Sequence, residues 1–224
     1  GADACTVDGA ILSSVVPPLT TIFTDAIARL TGIPPMVVGP GIRTGLNIKA
    51  EIHNQLGSDI VASSVAAIAK YPSPIVMVDM GTATSLSLIV GSVYEGCIIM
   101  PGLALALDAI SIETASPVGL MGHTTEEAMR SGVLCGHASM VDGMLERIEE
   151  SIGQSVTTVA TGGNAPRILR YCKRPIQYDA DLIMTGRVCP EGIEKYVNEI
   201  SVVSTGKNLR ISQAENIDID NHQE

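Results

Sequence analysis

The sequence has no tryptophan and a single phenylalanine, Phe23, so aromatics supply 3% of its 224 residues although 46% are hydrophobic. Its core must therefore be built from aliphatic side chains and methionine, which suits helices packed on a buried sheet. It also lacks any basic block: 14 Lys and Arg stand against 24 Asp and Glu, for a net charge of −10. That balance argues against nucleic acid or an anionic membrane as the main partner. A small anionic ligand stays open, because a local loop can attract phosphate despite the global field. The five cysteines (Cys5, Cys97, Cys135, Cys172 and Cys189) form no C-x-x-C, and no His stands at metal-ligand spacing. A reduced, cytoplasmic protein is expected. No apolar run is long enough to span a bilayer, since Val61 to Val78 is interrupted by Lys70, Tyr71, Pro72 and Pro74. No signal peptide or anchor is read, and a first residue of Gly rather than Met suggests that preceding residues were removed or never included. The length fits one large domain or two small ones.

What is present is organised around Ile75-Val-Met-Val-Asp-Met-Gly-Thr-Ala-Thr84. An apolar, β-branched run ends there in a carboxylate, a glycine and two hydroxyls. Ser85 to Val90 then resumes an alternating pattern, so Asp79 to Thr84 is expected to cap a hairpin. Gly81 would let backbone approach a ligand, Thr82 and Thr84 could donate to phosphate oxygens, and Asp79 could hold a cation or orient water. A ligand-free hairpin turn is the competing reading of so short a motif.

Before this stretch, Ala10 to Val16 reads as a strand ended by Pro17-Pro18, Thr20 to Leu30 as a helix, and Met36 to Val38 as a short strand. Gly39 to Gly45 is either a connector or a ligand-contacting loop. Leu56-Gly-Ser-Asp59 opens an Ala-rich helix in which the residues alone favour Ser58 or Asp59 as a simple N-cap, although a carboxylate at a helix start can also serve as a general base. After it, Gly91 to Gly96 supplies a turn, Cys97 to Met100 a strand, and Leu103 to Thr114 a largely buried helix. Thr124 to Glu127 forms a capping box for a helix reaching Ile148, with a bend allowed at Gly132 or Gly136. Its Met stripe reads as intramolecular core, and its small residues permit close contact with another helix. His123 and His137 read as ordinary hydrogen-bonded histidines. Val156 to Thr161 runs as a strand into Gly162-Gly163, a turn that could lie flat against a base or ribose or could simply connect strand to helix. Ile176 to Tyr178 is a further short strand, the pattern weakens after Gly186, and the last dozen positions are expected to be mobile.

Taken in order, Ser14-Val-Val-Pro17, Thr44-Gly-Leu46, Gly57-Ser-Asp59, Asp79 to Thr84, Gly96 with Pro101-Gly102, Thr114-Ala115, Gly132 with Gly136, and Thr161-Gly-Gly163 resemble the type III pantothenate kinases. These belong to the superfamily that includes acetate kinase, sugar kinases, heat-shock chaperone ATPases and actin. The resemblance spans roughly Gly9 to Gly186 and rests on order and spacing rather than on any single motif. It implies an α/β protein of actin-like ATPase (ribonuclease H-like) architecture. On that basis residues 1–72 are expected to be the remainder of an incomplete N-terminal subdomain, 73–186 a C-terminal subdomain, and 187–224 a divergent tail.

The implied activity is ATP-dependent phosphorylation of pantothenate, the first step of coenzyme A synthesis, in a cytoplasmic homodimer using Mg2+ and a monovalent cation, K+ or NH4+. By position, Asp59 matches the family's proton acceptor, and Gly57, Ser58, Asp59 and Ile60 would face pantothenate together with Thr114. Thr82 and Gly81 would contact ATP, as would Gly162 and Gly163, and Asp79 would bind a cation. Ile60 stands where the family motif has Arg, which removes a bidentate donor suited to a carboxylate, and Ala50 replaces a common aromatic contact. The family's first-strand D-x-G-N-T loop has no counterpart here. Without it, one sheet edge is expected to lack a partner, and this chain by itself is expected not to turn over ATP. A non-catalytic relative that binds nucleotide or metabolite, or a superfamily kinase with another substrate, is the alternative.

Overall fold

The computed structural model describes residues 9–14, 17–37, 45–49, 56–110, 118–185, 199–205 and 208–213. They fall into two compact units, one drawn from residues 1–46, 50–66 and 183–224, the other from 47–49 and 67–182. Thr44, Ala50, Thr114, the loop ahead of Gly45 and the polar C-terminus lie outside the described residues.

The first unit holds a four-stranded sheet in the order β10-β9-β1-β2. Its strands are β1 (Gly9–Ser14), β2 (Met36–Val37), β9 (Glu199–Thr205) and β10 (Asn208–Gln213). Strand β1 pairs in parallel with both β2 and β9, and β10 returns antiparallel to β9. The strand edge expected to be empty beside β1 is thus taken by β9, a segment whose weak alternation gave no strand signal. Helix α1 (Pro17–Thr31) starts earlier than its apolar spacing suggested. Proline is tolerated in a first turn because the N–H it lacks would find no intrahelical acceptor there. Phe23 and Ile27 of α1 pack on Ala10 and Leu12. Helix α2 (Ser58–Lys70) joins this unit through residues 58–66, with Ala62 against Ile11 and Ile183, the latter in the short α6 (Leu182–Thr185).

The second unit is built on a six-stranded sheet in the order β3-β6-β5-β4-β7-β8. Here β3 is Asn47–Ile48, β4 Ile75–Met80, β5 Ala83–Val90, β6 Val93–Pro101, β7 Thr157–Thr161 and β8 Gln177–Tyr178. The run β4-β5-β6 is an antiparallel meander, whereas β4-β7 and β7-β8 are parallel. Central strand β4 is buried on both faces, which is why it reads as a continuous apolar run. Helices α3 (Leu103–Ala109), α4 (Thr125–Ile152) and α5 (Ala165–Leu169) cover one face. Leu103, Leu107, Leu134, Val141, Leu145 and Ile168 meet Val76, Val78, Met80 and Leu86 there.

The turn between β5 and β6 is shorter than its sequence suggested. Only Gly91 and Ser92 form it, because Tyr94 is fully buried and its hydroxyl bonds that of Ser87 across the sheet at 3.0 Å. Within α3 only Leu103 and Leu107 are buried, while Leu105 faces out. The capping box of α4 forms as expected: the Thr124 hydroxyl accepts from the Glu127 N–H, and the Glu127 carboxylate accepts from the Thr124 N–H. Those backbone N–H groups, His123's first, hold the Glu127 carboxyl below its ordinary range. The helix runs through Gly132 and Gly136 without interruption and ends on Gly153 in the left-handed conformation. Met140 and Met144 pack on the core as expected of an internal stripe, but Met129 is 40% exposed.

Candidate functional site

Parallel pairing of β4 with β7 sets Asp79 beside Thr161, so the loops leaving the carboxyl ends of both strands emerge together. Open α/β sheets receive ligands at this end of their parallel strands. The first loop is Gly81-Thr82 on the way to β5; the second is Gly162-Gly163-Asn164 on the way to α5. Sequence reasoning marked both loops separately, and the sheet brings Asp79, Gly81, Thr82, Gly162 and Gly163 into one place.

Two glycines make this approach possible. Gly162 has φ +92°, and a Cβ there would sit 2.7 Å from the Asp79 Oδ1 and from the Met80 carbonyl. A Cβ on Gly102 would fall 2.0 Å from the Thr82 carbonyl oxygen. The Gly81-Thr82 turn is therefore cradled between bare backbone on two sides, with no room for any side chain. Gly163 is different: it is exposed and a Cβ there would meet nothing within 4 Å, so its bareness is left facing outward.

Asn164 fastens the two loops. Its backbone N–H donates to the Met80 carbonyl at 3.1 Å, and its side-chain amide donates to the Gly81 carbonyl at 3.1 Å. Sequence reasoning missed this residue; an Asn directly after a diglycine and ahead of an Ala-Pro helix start was the available signal.

Thr84 departs from its expected role. The hairpin is tighter than the motif suggested, with Met80 paired to Thr84 and Asp79 to Ser85, so Thr84 lies inside β5. Its side chain is fully buried, and its hydroxyl bonds His137 Nε2 of α4 at 2.9 Å. It cannot reach a phosphate. His137 is thus the hydrogen-bonded core histidine expected, and burial pushes its pKa below the ordinary value. Thr82, in contrast, is exposed at the turn.

Gly57, Ser58, Asp59 and Ile60 belong to the first unit, at the start of α2. The helix begins at Ser58, and the Gly57 carbonyl accepts from the Val61 N–H at 3.1 Å, so Gly57 rather than Asp59 occupies the cap position. Asp59 lies in the first turn, where the unpaired N–H groups and the helix dipole favour a carboxylate. Its Oδ1 accepts from the Ile60 N–H at 2.9 Å.

Nothing elsewhere in the described residues competes as a centre of chemistry. Among them, no group of three or more His, Cys, Asp or Glu side chains gathers as a metal site, and no helix is long and apolar enough to cross a membrane. Cys97, Cys135 and Cys172 are free thiols. Burial, with Asp142 nearby, pushes Cys172 up to about 12, which leaves it protonated and unreactive.

A glycine-cradled turn beside a strand-end carboxylate on an α/β sheet is an arrangement that can accept a phosphate-bearing ligand. Comparison with known proteins narrows that class. The model of the type III pantothenate kinase family matches residues 1–147. Curated type III pantothenate kinases from an Exiguobacterium species and from Dictyoglomus turgidum are each 38% identical to the chain. The first aligns over 80% of this chain and 74% of its own length, the second over 79% and 72%. A third, from Shouchella clausii, is 37% identical over 80% of this chain and 74% of its own. This chain belongs to the type III pantothenate kinase family. Its fold is also similar to the crystal structure of a conserved Baf family protein from Campylobacter jejuni, with a TM-score of 0.54 at 19% identity over 80% of each chain. The mixed α/β architecture fits the actin-like ATPase class that the sequence resemblance implied.

Proposed function

We propose that the site in this chain serves transfer of the γ-phosphate of ATP to the primary hydroxyl of pantothenate, giving 4'-phosphopantothenate and ADP in the first step of coenzyme A synthesis, with turnover also needing the family's first-strand phosphate loop. Family membership carries this reading, and the cradled turn at Gly81-Thr82 supports it by offering a place for phosphate oxygens. In the reaction the pantothenate oxygen attacks the γ-phosphorus, the bond from that phosphorus to the β-bridging oxygen breaks, and ADP leaves. The hydroxyl proton passes to Asp59, acting as general base. Gly57, Ser58, Ile60 and Thr114 would line the pantothenate side, and Gly81, Thr82, Gly162 and Gly163 the ATP side. Ile60 offers no charged donor for the pantothenate carboxylate, so that end of the substrate must be held by other groups.

The half-exposed Asp79 carboxylate at the strand end suits a hard cation, and Mg2+ characteristically takes only one or two carboxylates with phosphates and water completing its shell. When bound, Mg2+ and a monovalent cation, K+ or NH4+, would neutralise phosphate charge. A cytoplasmic homodimer is the assembly that fits this reading, with the exposed stripe of α4 at or near the interface.

The test is pantothenate-dependent ADP formation, with and without K+. In the active protein Asp59→Asn should lower turnover by roughly two orders of magnitude or more while ATP binding changes little. Lost helix stability at unchanged specific activity would identify Asp59 as structural only. Tight ATP binding with no ADP formation in the unsubstituted protein would favour a non-catalytic nucleotide-binding relative.

A further inference from the structure

The turn expected to hold phosphate has its peptide planes set by Asn164. Its backbone N–H takes the Met80 carbonyl and its side-chain amide takes the Gly81 carbonyl, each at 3.1 Å. In a planar trans peptide the N–H points opposite to the C=O. Drawing the Met80 and Gly81 carbonyls toward Asn164 therefore turns the Gly81 and Thr82 N–H groups away from it, side by side. On the far flank, the Thr82 carbonyl is pressed against Gly102. Three consecutive peptides are thereby fixed in direction by protein contacts rather than by a ligand. Successive N–H groups oriented in this way form an anion-binding concavity.

We propose that Asn164 is a positioning residue for nucleotide phosphates, acting through the Gly81-Thr82 turn. This rests on the reading that the turn receives the phosphates of ATP. The specific content is a division of labour: Asn164 touches no phosphate, but its amide donor determines whether two backbone donors are presented to one. Without it, the Gly81 carbonyl loses its partner and the peptide can rotate, so the preorganised donors must be ordered by the ligand at a cost in affinity. Base and ribose contacts, those of Gly162-Gly163 included, should sense little change, because side-chain substitution leaves the backbone bond from Asn164 to Met80 that holds the diglycine loop.

The experiment is calorimetric titration of the full chain with ATP and, separately, with adenosine. It compares the unsubstituted protein with Asn164→Ala, which keeps the backbone bond to Met80, and Asn164→Asp, which keeps the shape but sets a carboxylate against a carbonyl. Loss of one such hydrogen bond predicts roughly tenfold weaker ATP binding in Asn164→Ala, with Asn164→Asp weaker still. Adenosine affinity should stay within about twofold, because a group acting only on phosphates is silent toward a ligand that has none. Asn164→Ser, which restores a shorter donor, should recover part of the ATP affinity. Equal weakening toward both ligands would show a general structural role and overturn the proposal, as would unchanged ATP affinity in both variants. If the unsubstituted chain binds adenosine but gains nothing from the phosphates, the reading of the turn itself fails, and the role of Asn164 fails with it.

Discussion

The two units place functional residues with very different amounts of support. In the second, β4 is buried along nearly its whole length, and its neighbours β5 and β7 bury Leu86, Ile89, Val159 and Ala160 completely or nearly so. In the first, Met36 and Val37 of β2 are both more than a third exposed, and among the residues whose side chains are described the cluster beneath α1 holds Ala10, Leu12 and Ile27 with Phe23 alongside. The difference teaches where precision comes from. A turn at the end of a strand packed on both faces is anchored by that strand, and here the Met80 and Gly81 carbonyls are also hydrogen-bonded by Asn164. The start of α2 is held by the Val61 N–H on the Gly57 carbonyl, by the Ile60 N–H on the Asp59 carboxylate and by small side chains such as Ala62. Preorganised charge stabilisation suits the first setting, and a base that must meet a mobile substrate tolerates the second.

Core truncation gives the largest expected contrast. Leu145 and Leu12 are both fully buried, but Leu145 sits in the large cluster under the six-stranded sheet and Leu12 in the small one. Leu145→Ala and Leu12→Ala should each cost about 2–5 kcal/mol through lost burial and the cavity left behind, and the contrast lies in which unit each destabilises. Urea unfolding checks this. If the two units unfold separately, two transitions appear and each substitution moves only one.

Next in size is a test of the cradle. Gly162→Ala must place a methyl 2.7 Å from the Met80 carbonyl at φ +92°, whereas Gly163→Ala meets nothing within 4 Å. The first should lose roughly 2–4 kcal/mol from overpacking and backbone strain, the second less than about 0.5 kcal/mol. Equal melting temperatures for the two variants would mean that the loops are not locked together.

These two glycines also show what could be read in advance. Diglycine after an apolar strand marked a turn, against a ligand or simply into a helix, and the hairpin at Gly81 was legible from its alternating flanks. The capping box of α4 and the core role of Met140 and Met144 were equally plain, though not the exposure of Met129. What could not be read was which glycine served packing and which faced outward, since that depends on parallel pairing of strands about eighty residues apart. Thr84 was misassigned for the same reason: its partner His137 lies 53 residues away, on a helix whose placement no local pattern specifies. The pairing of β9 with β1 joins residues near opposite ends of the chain. The proposed role of Asp59 rests chiefly on family resemblance, because a carboxylate in a first helical turn has an ordinary structural explanation.

The Thr84 to His137 contact gives a smaller, pH-dependent effect. His137 is buried and its pKa is depressed by desolvation, so its folded value lies below the 6.5 of the unfolded chain. Above pH 6.5 both states are neutral and the full stability is present. As pH falls through that value the unfolded chain takes a proton that the native state refuses, and stability declines by at most about 1.4 kcal/mol per pH unit until the folded pKa is reached. His137→Gln should flatten the stability profile just below pH 6.5. An unchanged profile, measured by thermal melts across that range, would assign the acid sensitivity to other groups.

The smallest effect concerns α4. Met129, Gly132, Gly136 and Ser139 recur at three- and four-residue spacing, and all four are exposed. A Cβ on either glycine would meet nothing within 4 Å in this chain. In an isolated protomer, Gly132→Ala and Gly136→Ala should each stabilise by about 0.5–1 kcal/mol, since glycine in a helix interior carries an entropic cost that alanine avoids. If the same stripe forms the proposed homodimer contact, the added methyls occupy space that a partner helix needs. The gain in protomer stability would then be accompanied by weaker association. Sedimentation at micromolar concentration, read beside the melting temperature, separates the cases: higher melting temperature with unchanged mass places the interface elsewhere, and a shift toward monomer places it on this stripe.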